Sequence, residues 1–174
     1  MEVTWNDLLL ALKGFIEEAI RDMKLPIRAQ TNEDKALFER DPDAAFRVPE
    51  VYRMRLPNSK EAKKKAPYVL VQLITTGDMQ DERQIDDSYA IIRIILCTYN
   101  DDEQEGSLAL LNLSSRIRIA LLKACVVGEN NAFWLDKTEK LEFMAYPDDT
   151  APYYAGEMIG VWHLPPIKRE VRYD

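Results

Sequence analysis

The sequence is short of the residues that catalytic and metal sites need. Its 174 residues include one histidine, His163, and two cysteines, Cys97 and Cys125. A serine or cysteine nucleophile activated by histidine would have to use His163, which follows Trp162 in an alternating run with no nucleophile motif nearby. The paired Cys and His spacings of zinc sites are also absent. We therefore predict a structural or interface role for His163, no enzyme activity, and no bound metal or cofactor.

Other signatures are missing as well. The six glycines form neither a P-loop nor a dinucleotide-binding fingerprint. No apolar run reaches about 18 residues, so we expect no membrane-spanning segment. The N-terminus lacks a basic stretch followed by an apolar core, so we expect no secretion signal. Cys97 and Cys125 lie in apolar runs and are predicted to be small buried side chains in a reducing compartment.

Charge is plentiful but unevenly placed. The net charge is -7 and the sequence pI is about 4.9, which disfavours nucleic-acid binding as the main role because the phosphate backbone is anionic. Residues 1–66 carry 13 Lys and Arg against 12 Asp and Glu, so residues 67–174 carry 10 against 18. If these two parts of the chain lie on different faces of the molecule, the faces differ in electrostatic potential. Such a difference favours head-to-tail association between copies.

Two amphipathic helices are predicted, over residues 4–24 and 102–127. Each begins with a threonine or an aspartate, side chains that cap a helix N-terminus. The first helix is expected to end before Pro26, because the residue preceding a proline is disfavoured in the α region. Gly128 is expected just after the second helix, since glycine adopts the left-handed conformation easily.

Several runs have the composition of β-strands, at residues 51–56, 68–75, 88–99, 133–135, 140–146 and 153–164. The strongly acidic segment 77–87 joins two of them, which predicts a long hairpin. The near-continuous apolar run 88–99 is typical of a central strand covered on both faces. Pro165 and Pro166 are expected to end the last strand.

This order of elements predicts an α+β fold, with an antiparallel or mixed sheet, two main helices packed on one face, and a long acidic β-hairpin. We expect a single domain over residues 1–174. Residues 27–66 form a charged, proline-containing insertion with a short helix at 33–40 and a solvated basic loop at 60–65. Residues 167–174 are expected to form an extended tail.

Two parts of the chain carry a family resemblance. They are Tyr153-Tyr154-Ala155-Gly156 with the run from Trp162 to Glu170, and the section 68–128, which holds Cys97-Thr98-Tyr99-Asn100-Asp101 and then a helix containing Arg116-Ile117-Arg118. Together they resemble the small head–tail joining proteins of long-tailed bacteriophages and prophages, most closely the tail-terminator (tail-completion) family. The resemblance covers roughly residues 1–24 and 67–170, and residues 27–66 depart from it as an enlarged insertion.

The resemblance implies a structural protein of the virion tail or neck, assembled in the bacterial host cytoplasm. Its copies would form a ring, expected to be a hexamer, that caps the tail tube and stops its growth. The implied partners are other copies of the chain, the tail-tube protein and a head-completion or neck protein. DNA would pass through the ring without specific binding, and an acidic lining would keep it from adhering.

Ten residues are candidates for the ring interface or its lumen. They are Asp78, Asp81, Glu82, Asp86 and Asp87 in the hairpin, and Tyr153, Trp162, Pro165, Pro166 and Arg169 around the last strand. The lead helix is a further candidate for ring contacts. In a strand, Tyr154 and Trp162 share one face while Tyr153 points to the other, so one set is expected in the core and the other at an interface.

Other functions stay open at this point. The chain could be another neck, head-completion or baseplate component of such particles, or a cellular adaptor unrelated to them. A metal-dependent nuclease using Asp101, Asp102 and Glu103 is a third alternative. Acidic residues are, however, favoured at a helix N-terminus by the helix dipole, which explains that cluster without a metal.

Overall fold

The structure is a computed structural model, and it describes residues 2–80, 86–147, 150–168 and 170. These residues form helices α1 (Trp5–Ile20), α2 (Asn32–Arg40) and α3 (Glu103–Ala124), and strands β1 (Leu25–Pro26), β2 (Phe46–Arg47), β3 (Glu50–Arg53), β4 (Tyr68–Met79), β5 (Asp87–Tyr99), β6 (Val126–Val127), β7 (Phe133–Leu135), β8 (Glu142–Ala145) and β9 (Tyr153–Leu164). Short 3-10 helices span Pro42–Ala45, Ser59–Lys65 and Glu129–Asn131.

The strands form one main sheet in the order β3-β4-β5-β9-β7-β6, and β8 also pairs with β9. β3 and β4 are parallel, while the other pairs in this sheet are antiparallel. β1 and β2 form a separate two-stranded sheet. The predicted α+β fold with a mixed sheet and two main helices is confirmed.

β4 and β5 form the predicted hairpin, and it is longer than the sequence suggested. Their register runs from Tyr68 opposite Cys97 to Met79 opposite Asp87, with an irregularity at Ile74. Part of the acidic linker therefore belongs to the strands themselves. The chain between the paired strand ends falls partly outside the described residues.

Helix α1 begins as predicted but ends early. The Thr4 side chain accepts from the Asp7 backbone N–H, and the Asp7 carboxylate accepts from the Thr4 N–H, a reciprocal capping box. The prediction that the helix continues to residue 24 is wrong, because it ends at Ile20. Pro26 lies in β1, which pairs with β2, and the chain has to leave the helix early enough to reach that partner.

Helix α3 also begins as predicted and ends differently. The Asp102 carboxylate accepts hydrogen bonds from the Gln104 and Glu105 backbone N–H groups. The helix stops at Ala124, and the residue in the left-handed conformation after it is Cys125 (φ 59) rather than the expected Gly128. The next two residues form β6 against β7, so the helix cannot extend through them.

The main core lies between the sheet and the two long helices. Its largest fully buried side chains come from both layers and are Leu8, Leu12, Ile16, Ile20, Ile92, Ile94, Leu96, Leu113, Ile117, Leu121, Met158 and Trp162. Gly106 of α3 allows close approach to the sheet, since a Cβ at this position would come within 2.1 Å of the Tyr154 ring. The core thus fixes α1 and α3 against one face of the sheet.

A smaller core lies on the opposite face at one end of the sheet. It comprises Ala66, Tyr68, Leu70, Cys97, Tyr99 and Tyr153. Arg28 from the insertion donates to the Tyr153 hydroxyl at 3.2 Å, and Arg47 donates to the carbonyls of Lys65 and Pro67. Burial raises the pKa of the Cys97 thiol to about 11, which suits a packed, unreactive side chain.

The insertion 27–66 is therefore part of the fold. It supplies β3 to the main sheet, and its residues Tyr52, Leu56 and Ala66 pack in or against the smaller core. The predicted short helix at 33–40 is confirmed as α2. The basic run predicted as a loop is instead a 3-10 helix, although Lys60, Lys63 and Lys64 are exposed.

Candidate functional site

The face of the sheet opposite α1 and α3 is the candidate site. It is called the open face here and consists of Tyr89, Ile91, Arg93, Trp134, Ile159, Val161 and His163, which are exposed or half-buried. The expectation that β5 is covered on both faces is wrong over most of its length. Of the β5 side chains on this side, only Cys97 and Tyr99 are buried, and both belong to the smaller core.

An aromatic row crosses three strands of the open face. Tyr89 of β5 lies opposite His163 of β9, which in turn lies opposite Trp134 of β7. The Trp134 and His163 rings are stacked, with centroids 5.8 Å apart and planes 16° apart. A Cβ at Gly77 would come within 2.4 Å of the Tyr89 ring, so this ring lies directly over the glycine of β4. Tyr89 and Trp134 are 36% and 38% exposed and present their rings to solvent.

Beside this row the open face becomes apolar and then charged. Ile91 lies opposite Val161, and Arg93 lies opposite Ile159. The Arg93 guanidinium donates to the Gln72 amide oxygen at 3.1 and 2.8 Å. It also lies 3.8 Å from a carboxylate oxygen of Glu157. These contacts hold the long arginine side chain along the sheet surface.

His163 ties three parts of the chain together. Its Nδ1 lies 2.8 Å from Oδ1 of Asp87 at the start of β5, and its Nε2 lies 2.5 Å from Oδ2 of Asp136 after β7. A carboxylate only accepts hydrogen bonds, so this geometry favours the imidazolium form of the ring, in which both nitrogens donate. We call His163, Asp87 and Asp136 the histidine clamp.

The pKa values of the clamp agree with this geometry. Burial by itself lowers the pKa of His163, but the hydrogen bonds to Asp136 and Asp87 outweigh it and raise the pKa above its ordinary value. The hydrogen bond from His163, followed by those from Thr138, holds the pKa of Asp136 far below its usual range. The charged state of both groups is therefore favoured in the folded chain.

This arrangement does not prepare His163 for acid–base catalysis. A general base needs an unprotonated ring nitrogen directed at its substrate, and here both nitrogens are bonded to carboxylates. Cys125 lines a cavity of about 410 Å³ together with His163 and Asp136, but its thiol donates to the Leu122 carbonyl at 3.1 Å. Within the described part of the chain, no group of three or more His, Cys, Asp or Glu side chains is arranged to hold a metal ion.

The predicted hairpin residues lie in different environments. Asp78 is exposed and accepts a hydrogen bond from the Ser88 hydroxyl at 2.6 Å. Asp86 is half-buried, and Asp87 belongs to the histidine clamp. The other two candidates, Asp81 and Glu82, lie outside the described residues.

The predicted residues around β9 separate into interior and surface positions. Trp162 is 1% exposed in the main core and Tyr153 is 9% exposed in the smaller one, so neither side chain is available to a partner. Sequence alternation placed Tyr154 and Trp162 on one face correctly, and that face is the one under the helices. Pro165 is exposed and Pro166 is half-buried. Arg169 lies outside the described residues.

One surface was missed by the sequence reasoning. Helix α3 exposes four large apolar side chains, which are Leu108 (51%), Leu111 (46%), Ile119 (46%) and Leu122 (43%). They lie on the side of the helix away from its buried residues. The signal was present in the sequence, because α3 has more leucine and isoleucine than one buried stripe can accommodate.

The described helices include none that is both long and apolar enough to cross a membrane. No protein-family model matches the sequence, and no curated protein matches it. Among solved structures, a chain in the virion of a native gene transfer agent (GTA) particle is similar, with a TM-score of 0.42 and 12% sequence identity. The similarity covers 92% of this chain and 98% of that chain.

Proposed function

We propose that this chain is a structural protein of a phage-like particle, and specifically a tail terminator. Its copies form a ring, expected to be hexameric, that caps the tail tube and joins it to the head. The observation that carries the proposal is the open face, a preformed sheet surface with exposed aromatic side chains. The resemblance of the sequence to the tail-terminator family supplies the kind of partner.

The open face has the properties of a protein-binding surface. Tyr and Trp are enriched at interfaces because a rigid ring contributes a large contact area together with a polar group. Tyr89 and Trp134 provide such rings, and half-buried Ile91 and Val161 lie beside them. Because these side chains are positioned by paired strands and by the stacked His163 ring, a partner would meet an ordered surface.

Two of the segments predicted to make ring contacts lie together at one end of the main sheet. Gln80, just after β4, donates to the carbonyl of Ile167, which follows β9, at 2.8 Å. The loop end of the acidic hairpin and the segment after the last strand are therefore held side by side. A ring requires contact between two different surfaces of neighbouring copies, and the uneven charge along the sequence suits such a head-to-tail contact.

The acidic character of the chain suits a ring through which DNA passes. The net charge is -7, and Asp78 is exposed on the hairpin. A surface of this sign repels phosphates at short range, so DNA would pass without adhering. In the proposed ring the hairpin lies at the lumen or at the contact with a neighbouring copy.

Native mass spectrometry and negative-stain imaging of the purified chain test the ring. We expect rings of about six copies, formed by the chain alone or on addition of a tail-tube protein. The variant Tyr89→Asp should lose the ring while keeping its circular dichroism spectrum, because a charge replaces an aromatic contact. Leu37→Asp on α2 is the matched control, since Leu37 is 37% exposed and is not one of the open-face residues.

Two results would contradict the proposal. One is a chain that stays monomeric at high concentration even with tail-tube protein present. The other is a ring that tolerates Tyr89→Asp and Trp134→Asp as well as it tolerates Leu37→Asp, which would place the contact elsewhere.

A further inference from the structure

The exposed apolar residues of α3 form a symmetric pattern. Leu108 and Leu122 each lie seven positions from Ser115, and Leu111 and Ile119 each lie four positions from it. We call these five residues the α3 stripe. At about 100° per residue, all five fall within an arc of about 80° on the helix surface. The stripe extends over about 21 Å, at 1.5 Å per residue.

No described element covers this stripe. The buried side of α3, including Leu110, Leu113 and Ile117, already packs on the sheet and α1, and the four apolar stripe residues remain 43–51% exposed. Scattered exposed leucines are ordinary, but four along one line of a single helix make a continuous apolar surface. Such a surface is typical of a helix that packs against another helix.

The symmetry of the pattern fits pairing with the same helix of a second copy. If a copy of α3 lies antiparallel with Ser115 next to Ser115 of the second copy, Leu108 meets Leu122 of that copy. In the same arrangement Leu111 meets Ile119 of the second copy, and each contact occurs twice. A two-fold contact requires a self-complementary surface, and this stripe has one.

One pair of opposite charges beside the stripe favours the same arrangement. Glu105 and Lys123 are exposed and lie on the same flank, each about 80° from the Ser115 direction. A two-fold axis perpendicular to the helices brings these flanks together, with Glu105 and Lys123 of the second copy only about 3 Å apart along the helix direction. Parallel pairing would set Lys123 away from Glu105. Antiparallel helix dipoles also attract.

We infer that α3 is a dimerisation surface, on which the stripe packs antiparallel against the stripe of a second copy of this chain. The contact goes beyond the proposed ring, because a two-fold contact pairs copies and cannot by itself close a six-membered ring. It joins two free copies or two rings. A contact made by one helix from each copy is small, so the dimer should dissociate on dilution.

Cysteine cross-linking tests the register directly. In a Cys125→Ser background, Ser115→Cys should give a covalent dimer under mild oxidation, because the two-fold axis brings the two thiols together. Glu18→Cys is the matched control, an exposed position on α1 whose side chain is 70% exposed. The cross-link of the Ser115→Cys variant should form at concentrations where the control stays monomeric.

Sedimentation equilibrium tests the energetics. Leu111→Lys should raise the dissociation constant of the dimer by at least about tenfold, because it places a charge in the apolar contact. Leu37→Lys, at an exposed leucine of α2 (37%), should leave the dissociation constant unchanged. Glu105→Lys alone should weaken the dimer roughly threefold to tenfold, and adding Lys123→Glu should restore it.

The results of these experiments test the helix pairing independently of the proposed ring. Equal cross-linking of the Ser115→Cys and Glu18→Cys variants, or a double charge swap that is no better than the single change, would overturn the helix pairing. Rings that assemble but show no cross-link at position 115 would overturn the pairing and leave the proposed function standing. A dimer with the expected cross-link but no ring would support the helix pairing and contradict the proposed function.

Discussion

The two faces of the main sheet are made from the same strands but have opposite properties. On β9, Trp162 is 1% exposed under the helices, while its neighbour His163 points to the open face and bonds to two carboxylates. The covered face of β5 is closed, and its side chains are apolar apart from Ser88 and Thr98 near the strand ends. The open face mixes aromatic, aliphatic and charged side chains held by defined contacts such as that of Arg93 with Gln72. Alternation along each strand therefore separates the residues that stabilise the fold from those that can meet a partner.

The two faces should also respond differently to mutation. Truncating a side chain on the covered face leaves a cavity that the packed helices cannot fill. Truncating one on the open face removes only surface contacts, because solvent takes its place. Matched substitutions on the two faces measure this difference.

The largest expected effect comes from the two tryptophans. Trp162→Ala should lower the free energy of unfolding by about 3–5 kcal/mol, the usual cost of removing a buried large aromatic side chain. Trp134→Ala should cost about 1 kcal/mol, since Trp134 is 38% exposed and loses mainly its stack on His163. Urea unfolding of the two variants measures both values, and equal losses would show that the open face contributes to stability as a core does.

Breaking the histidine clamp should have the next largest effect on the free energy of unfolding. The clamp should also make the stability of the chain depend on pH. Asp136→Asn should lower the free energy of unfolding by about 1.5–3 kcal/mol near pH 6, because it removes a charge-assisted hydrogen bond. The pKa of His163 is raised above 6.5 in the folded chain, so its contribution is complete below pH 6.5 and is lost as the pH rises through the folded value. The pKa of Asp136 is lowered from 3.8, so its contribution is present above that pH and is lost in acid.

Chemical unfolding at a series of pH values between 4 and 9 checks this prediction. Stability of the parent chain should fall as the pH rises above about 6.5, and this fall should be smaller in the Asp136→Asn variant. Asp43→Asn serves as the control, because Asp43 is exposed in the insertion. A parent chain whose stability rises over this range would contradict the clamp.

Two glycines give a smaller contrast between the faces. A Cβ at Gly106 would come within 2.1 Å of the Tyr154 ring, and one at Gly77 within 2.4 Å of the Tyr89 ring. Gly106→Ala should cost about 1–3 kcal/mol, because the Tyr154 ring lies between α3 and the sheet. Gly77→Ala should cost less than about 1 kcal/mol, because the Tyr89 ring can move into solvent. Thermal unfolding of both variants tests whether the same clash has different consequences.

The smallest expected effect is a difference in reactivity between the two cysteine thiols. It tests where along the sheet the open face gives way to the smaller core. Cys97 is buried in the smaller core, and burial raises the pKa of its thiol to about 11, whereas Cys125 is half-buried. A thiol reagent should therefore modify Cys125 in the folded chain and reach Cys97 only on unfolding. Mass spectrometry after brief alkylation identifies the modified residue. Early modification of Cys97 would mean that the insertion does not hold the smaller core closed.

Local features of the fold were predictable and long-range ones were not. Strand β9 occupies the predicted residues, and both N-caps are where the sequence placed them, because alternation and capping depend on neighbouring residues. The early ends of α1 and α3 were missed, because they follow from pairing of β1 with β2 and of β6 with β7. The α3 stripe was missed because two apolar stripes on one helix are difficult to separate before the buried one is known.

The sequence by itself determined the α+β class, the hairpin, and which residues of each strand share a face, since these depend on side-chain periodicity along the chain. Only the tertiary structure decided which face the helices cover, and it thereby placed Trp162 in the core and His163 on the open face. It also brought Asp87 and Asp136 to His163, from positions 76 and 27 residues away. Strand register and the packing of distant segments fix such contacts, and neither is a property of any short stretch of sequence.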